Sequence, residues 1–78
     1  MFLEIISPDK KMFSGEVTSV TLPGTDGSLG ILSNHAPLIT TLQKGTIKIV
    51  ESSNSAQQFE IKGGVAEVLN NNIIILAD

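Results

Sequence analysis

The side chains that could do chemistry are few, and their spacing does not bring them together. His35 is the only histidine among 78 residues, and the chain has no cysteine. Ser33 and His35 could supply a nucleophile and its base, but the sequence does not suggest the geometry of nucleophile, base and orienting group that such a site needs. The Gly-x-Ser-x-Gly pattern that exposes a nucleophilic serine is also missing. The sequence therefore argues against a small hydrolase built on these two residues.

No group of residues has the spacing of a metal site or of an acid–base pair. The eight carboxylates are spread along the whole chain: Glu4, Asp9, Glu16, Asp26, Glu51, Glu60, Glu67 and Asp78. Zinc would need several of them to converge on the single histidine, and acid–base catalysis needs its partners at one reaction centre. We predict no catalytic residue, no metal site and no cofactor.

Gly24, Gly27 and Gly30 recur at intervals of three but do not form a nucleotide-binding loop. The dinucleotide fingerprint has a different spacing, and a phosphate loop needs the N-terminus of a following helix. No stretch after these glycines has a helical pattern of apolar residues. We interpret them as turn glycines.

Two short segments keep two interpretations each. The ring of His35 could bond a backbone carbonyl of its own loop, or it could be presented to a partner. Asp26, Gly27 and Ser28 could form a solvated turn, which the residues alone favour, or a polar loop tip that docks on another protein.

Composition excludes several classes of function. The net charge is −3, with five lysines and no arginine, so no basic face is available for nucleic acid. Three phenylalanines are the only aromatic residues, which argues against a sugar-binding module with Trp or Tyr platforms. No apolar run reaches the ~18–20 residues of a membrane span, and no signal peptide precedes the first strand pattern. We expect a soluble, cytoplasmic chain with no lipid insertion and no small-molecule substrate.

The elements that must position these segments are strands. Ile, Val and Thr make up 21 of the 78 residues, and such β-branched side chains suit a pleated surface. Alternating patterns predict strands over residues 2–7, 11–14, 16–22, 29–32, 38–43, 46–51, 56–62, 65–69 and 73–77. Some eight to ten short strands predict an all-β fold, packed as a flattened antiparallel sandwich or barrel in one domain over residues 1–78.

Local signals refine this prediction. Gly15 is expected to break a strand, Gly63 and Gly64 to form a bulge or bend, and residues 70–72, three asparagines, to form a tight hairpin. Residues 73–77 are all apolar. That pattern predicts a central strand buried on both faces, or one whose outer face something else covers.

The order of motifs along the chain resembles a known family. Asp-Lys-Lys-Met-Phe-Ser-Gly at 9–15 is followed by Gly-Ser-Leu-Gly-Ile-Leu-Ser-Asn-His-Ala-Pro-Leu at 27–38 and Gly-Thr-Ile-Lys-Ile at 45–49. Gly-Gly-Val-Ala-Glu-Val-Leu at 63–69 and Ile-Ile-Leu-Ala-Asp at 74–78 complete the set. These motifs span the chain and resemble the N-terminal domain of the epsilon subunit of F-type ATP synthase.

The resemblance implies about ten strands in two sheets and a non-catalytic role. Epsilon is a central-stalk subunit of the rotor of a proton-translocating ATP synthase, on the cytoplasmic face of the bacterial inner membrane. It bridges the gamma subunit and the membrane c ring, while nucleotide chemistry belongs to other subunits. Carried over by position, the gamma interface is expected at His35, Ala36, Pro37, Leu38 and Thr40, and the c-ring interface at Asp26, Gly27 and Ser28.

Three departures from the family pattern change these expectations. Ser28 stands where an acidic residue is common, so an ionic contact to the ring there is in doubt. Ser33 replaces the usual proline, so the loop before His35 should be looser, by an effect of about 0.5–1 kcal/mol. The sequence ends at Asp78, before the two C-terminal helices of typical members, so we expect the chain to lack that inhibitory hairpin and its nucleotide site.

Overall fold

Every regular element is a β-strand, which confirms the prediction from the β-branched content. The structure is a computed structural model that describes all residues from Met1 to Asp78. Its eight strands are β1 (Phe2–Ile6), β2 (Lys11–Gly24), β3 (Gly27–Leu32), β4 (Leu38–Leu42), β5 (Gly45–Glu51), β6 (Ala56–Ile61), β7 (Gly64–Leu69) and β8 (Asn72–Ala77). None of the chain forms a helix that could cross a bilayer.

Strand β2 is longer than predicted and lies in both layers of the sandwich. The expected break at Gly15 is wrong, because this residue pairs with Leu3 inside one continuous strand. Residues 11–16 of β2 pair with β1, whereas residues 17–21 pair with β5 on one side and residues 19–24 pair with β3 on the other. One strand therefore replaces two of the predicted ones, and the total is eight.

The two layers share β2. One layer has the order β2, β1, β8, β7, β4, and the other has the order β3, β2, β5, β6. The pairing of Gly24 with Leu42 also joins β4 to the far end of β2. All pairs are antiparallel except β1 and β8, which run parallel in register from Phe2–Asn72 to Ile6–Leu76.

A bulge changes the direction of β2 where it passes between layers. Its pairing with β5 shifts between Val17 and Ser19, so Thr18 is an extra residue. The Thr18 hydroxyl donates to the carbonyl of Val50 at 3.2 Å. Because the extra residue resets the alternation, Val17 and Val20 both point into the core although they are three positions apart.

The core is aliphatic and lies between the layers. Sixteen buried hydrophobic residues form one cluster, and no polar or charged side chain is buried. Leu3 and Ile5 on β1 are fully buried, as are Ile73 and Ile75 on β8. Burial of such side chains contributes roughly 1.5–3 kcal/mol each, and this supplies most of the stability of a small domain.

Both turns around β7 are as the sequence predicts. Asn70 and Asn71 have φ values of 51° and 63° and connect β7 to β8 as a two-residue hairpin. Gly63 and Gly64 have φ values of 149° and 150° and bend the chain into β7. At Gly64 a Cβ atom would collide with the carbonyl oxygen of Leu76 on the neighbouring strand.

We predict that Gly64→Ala lowers the free energy of unfolding by about 2 kcal/mol or more, because the φ is strained and the added methyl group meets backbone. Gly30→Ala is the matched control, since nothing lies within 4 Å of its Cβ position and its φ is not positive. Urea denaturation followed by far-UV circular dichroism measures both. Equal midpoints for the two variants would contradict this account of Gly64.

Candidate partner-binding surfaces

The loop between β3 and β4 holds His35 in a defined turn. The His35 N–H donates to the carbonyl of Leu32 at 3.2 Å, and Asn34 has a φ of 64°. In the four-residue turn from Leu32 to His35, φ is positive at the third residue and not at the second, which is the geometry of a type II turn. The Asn34 N–H also donates to Oδ1 of Asn71 at 2.8 Å, so the β7–β8 hairpin anchors this loop.

The ring of His35 makes the local hydrogen bond that was one of its two interpretations. Its Nδ1 lies 2.8 Å from the carbonyl oxygen of Ala36, and a carbonyl can only accept, so Nδ1–H is the donor. The side chain is nonetheless exposed, together with those of Ala36 and Pro37. The local hydrogen bond fixes the ring plane and leaves Nε2 open to solvent.

The other two residues of the predicted gamma interface lie on the inner side of β4. Leu38 and Thr40 are half-buried, on the same side as the buried Leu42, and Leu38 packs against the core. The outward residue of this strand is Ile39, which is 72% exposed. Alternation along the strand predicted over 38–43 places Leu38, Thr40 and Leu42 on one side, as the structure does, but no motif in the sequence marked Ile39.

The predicted c-ring residues lie at the β2–β3 turn. Asp26, Gly27 and Ser28 are all exposed, and Gly27 has a φ of 128°. The base of the turn is tight, because a Cβ atom on Gly24 would lie 2.6 Å from the carbonyl oxygen of Gly27. The Asp26 carboxylate is therefore presented at the tip of a well-supported hairpin.

Four hydrogen bonds tie this turn to the far end of β4. The Thr25 N–H donates to the carbonyl of Thr41 at 3.1 Å, and the hydroxyls of the same two residues lie 2.8 Å apart. Gln43 donates from its N–H to Pro23 O at 2.9 Å and from its side-chain amide to Gly24 O at 3.1 Å. The His35 loop precedes β4 and the Asp26 turn is bonded to its end, so a strand of five residues, about 14 Å long, separates the two.

A third surface, which contains none of the predicted interface residues, is apolar. Six of the seven large hydrophobic side chains that are exposed lie on the outside of the β1-β8-β7-β4 layer: Phe2, Ile39, Val65, Leu69, Ile74 and Leu76. We call these six residues the outer apolar face. The expected burial of β8 on both faces is wrong for the chain alone, since Ile74 is 38% and Leu76 is 54% exposed.

The register of the strands places these side chains in rows. Ile39, Glu67 and Ile74 are paired across β4, β7 and β8, and Val65 and Leu76 are paired in the next row. Two shallow hollows of about 220 and 210 Å³ lie on this face, and both include Glu67 and Ile74 in their walls. The signal available in the sequence was the apolar run at 73–77, whose second face has no partner within the chain.

The groups that could do chemistry stay apart in the structure. Nowhere do three or more His, Asp or Glu side chains converge as a cation would require. Ser33 and His35 share the exposed β3–β4 loop, with no hydrogen bond between their side chains. What this chain offers to other molecules is shape, apolar area and a few exposed charges.

Comparison with known proteins identifies the relatives of this domain. The family model of the ATP synthase delta/epsilon chain β-sandwich domain matches residues 1–78. The chain is 46% identical over 74 residues to the ATP synthase epsilon chain of Dichelobacter nodosus, covering 95% of this chain and 52% of that one. It is 45% identical over 76 residues to the epsilon chain of Chlorobium limicola, covering 97% and 86%. The chain thus spans about half of one relative and most of the other.

A solved structure has the same architecture. It is a chain of the central stalk and c ring of Tetrahymena thermophila mitochondrial ATP synthase, determined by cryo-electron microscopy. The two chains superpose with a TM-score of 0.80 at 25% sequence identity, over 99% of this chain and 62% of the other. The sandwich is therefore retained at low sequence identity.

We predict that Ser33→Pro stabilises the domain by about 0.5–1 kcal/mol. Ser33 occupies the second position of the type II turn, where proline is favoured, and its N–H makes no backbone hydrogen bond. Asn34→Pro is the matched control and should destabilise, because it forbids the φ of 64° and removes the bond to Asn71. Urea midpoints that shift in the same direction for both variants would refute this assignment of the turn.

Proposed function

The chain belongs to the delta/epsilon chain family of ATP synthase, as its β-sandwich domain, and on this premise we propose that it is a non-catalytic subunit of the rotor. In this role it joins the gamma subunit to the membrane c ring and helps couple ion flow to ATP synthesis. It works at the cytoplasmic face of a bacterial membrane, held there by its protein partners. The observation that carries the proposal is the outer apolar face, an uncovered sheet surface on an 8.3 kDa domain.

The outer apolar face supports docking of the gamma subunit. Isolated apolar residues on a surface are ordinary, but a contiguous group of them marks an interaction site. Interfaces bury such an apolar centre inside a polar rim. The loop with His35, Ala36 and Pro37 borders this face, because Asn34 is bonded to the β7–β8 hairpin that carries Leu69. The exposed residues His35, Ala36 and Pro37 and the outer apolar face therefore form one continuous surface, whereas Leu38 and Thr40 lie on the inner side of β4.

The β2–β3 turn supports a separate contact with the c ring. Its tip is polar and carries one carboxylate, Asp26, so we expect a contact that weakens with salt. Ser28 adds a hydroxyl there in place of a second charge. The hydrogen bonds from Thr25 and Gln43 hold this turn rigidly to β4.

The sandwich supports force transmission between the two contacts. The His35 loop and the Asp26 turn lie at opposite ends of β4, which is paired along its whole length with β7 and packed on the core through Leu38 and Leu42. A load applied at the turn therefore reaches the other surface through paired strands and not through a flexible linker. Such a body can pass rotation from the ring to gamma without any chemistry of its own.

We predict that Ile39→Ser weakens binding to the gamma subunit about tenfold or more, since burial of an isoleucine contributes roughly 1.5–3 kcal/mol. The change should cost the free domain little stability, because the side chain is 72% exposed. Lys48→Ser, on the exposed side of β5 in the other layer, is the control. Isothermal titration of gamma with each variant measures the affinities. Unchanged binding of the Ile39 variant would exclude this face as the docking site.

We also predict that His35→Ala and Leu38→Ala weaken gamma binding more than Asp26→Asn does. Leu38 packs on the core, so its variant must be compared at a temperature where circular dichroism shows it to be folded. Asp26→Asn should instead reduce retention of the domain on purified c ring, at low salt above all. Equal losses of gamma binding for all three variants would contradict the assignment of the two ends to two partners.

A further inference from the structure

We infer that Glu67 selects the partner, by requiring a Lys or Arg side chain opposite it in the segment of the gamma subunit that covers the outer apolar face. The inference rests on the proposed function, because it assumes that gamma docks on this face. It adds the chemical nature of the docking segment, which must be apolar with one cation near its middle.

Glu67 is an unpaired carboxylate within an apolar surface, whereas Glu4, in the same row on β1, is paired with Lys11. It lies between Ile39 and Ile74 in the same row, with Val65 and Leu69 two positions away on its own strand. Both hollows of the face have Glu67 in their walls. A partner that buries the two isoleucines therefore has to cover the carboxylate as well.

Nothing within the chain compensates this charge. The two ion pairs of the molecule use other carboxylates. Glu16 pairs with the N-terminal ammonium group. Glu4, which lies beside Ile74 on β1, has its carboxylate 3.0 Å from Lys11 Nζ. None of the side-chain hydrogen bonds involves Glu67. In the free domain, water solvates the carboxylate because the side chain is exposed.

Covering an unpaired carboxylate is costly, because its hydration is lost. A Lys or Arg side chain placed opposite replaces the lost hydration with a charge pair. A partner without such a cation therefore binds less well. The same charge disfavours a second copy of this chain as the occupant. A two-fold pairing centred on this face would bring one Glu67 close to the other.

The test measures the affinity of purified gamma subunit for four variants of the domain. Glu67→Gln keeps the shape and removes the charge, and we expect at least tenfold weaker binding, with Glu67→Lys weaker still. Asp9→Asn is the control for net charge, since it makes the same change in the exposed β1–β2 turn. Ile39→Ser reports whether the face is used at all.

Two further measurements make the result specific. Raising the salt concentration should weaken wild-type binding more than binding of Glu67→Gln. Glu67→Lys should be rescued by changing one Lys or Arg of gamma to Glu, found by replacing each in turn. Rescue of that kind reports a charge pair, which a general effect on folding would not produce.

The outcomes separate this inference from the function on which it rests. If Ile39→Ser weakens binding while Glu67→Gln binds as well as wild type or better, the charge requirement is wrong and the docking face stands. If neither variant changes binding, the docking face itself is wrong. If the domain instead forms dimers by sedimentation, and Glu67→Gln tightens them while leaving gamma binding unchanged, Glu67 opposes self-association and the inference is overturned.

Discussion

The continuity of β2 through both layers is the constraint on which the rest of the fold depends. Its 14 residues pair with β1, β3, β4 and β5, which is more partners than any other strand has. The bulge at Thr18 lets the strand turn without leaving its hydrogen-bonded neighbours. Because one strand belongs to both sheets, the layers cannot slide past each other without breaking the pairing on both sides of the core.

This constraint also sets where the two loops lie. The C-terminal end of β2 carries the Asp26 turn and meets Leu42 at the end of β4, while the start of β4 follows the His35 loop. The loops are therefore held at a fixed separation by paired strands, and both are stabilised locally by hydrogen bonds. A domain with two such surfaces suits an adaptor between neighbouring proteins better than it suits a ligand-binding pocket.

The outer apolar face follows from the same architecture. Strand β8 lies between β1 and β7 and places Ile73 and Ile75 in the core, so the intervening Ile74 and Leu76 must point outward. With outward residues of β4 and β7 beside them, they make an apolar surface that no other part of residues 1–78 covers. Glu67 is the exception within it, and a charge at that position limits which molecules can dock.

What the sequence by itself determined was local. The β-branched content predicted an all-β fold, the alternating patterns predicted most of the strands, and the asparagines at 70–72 predicted a tight hairpin, because these features depend on neighbouring residues. The continuity of β2 through Gly15 and the parallel pairing of β1 with β8 were decided only in the tertiary structure, since they join residues distant along the chain. The outer apolar face was likewise decided only in the tertiary structure. Ile39, Val65 and Ile74 lie far apart in sequence, and only the pairing of β4, β7 and β8 places them side by side around Glu67.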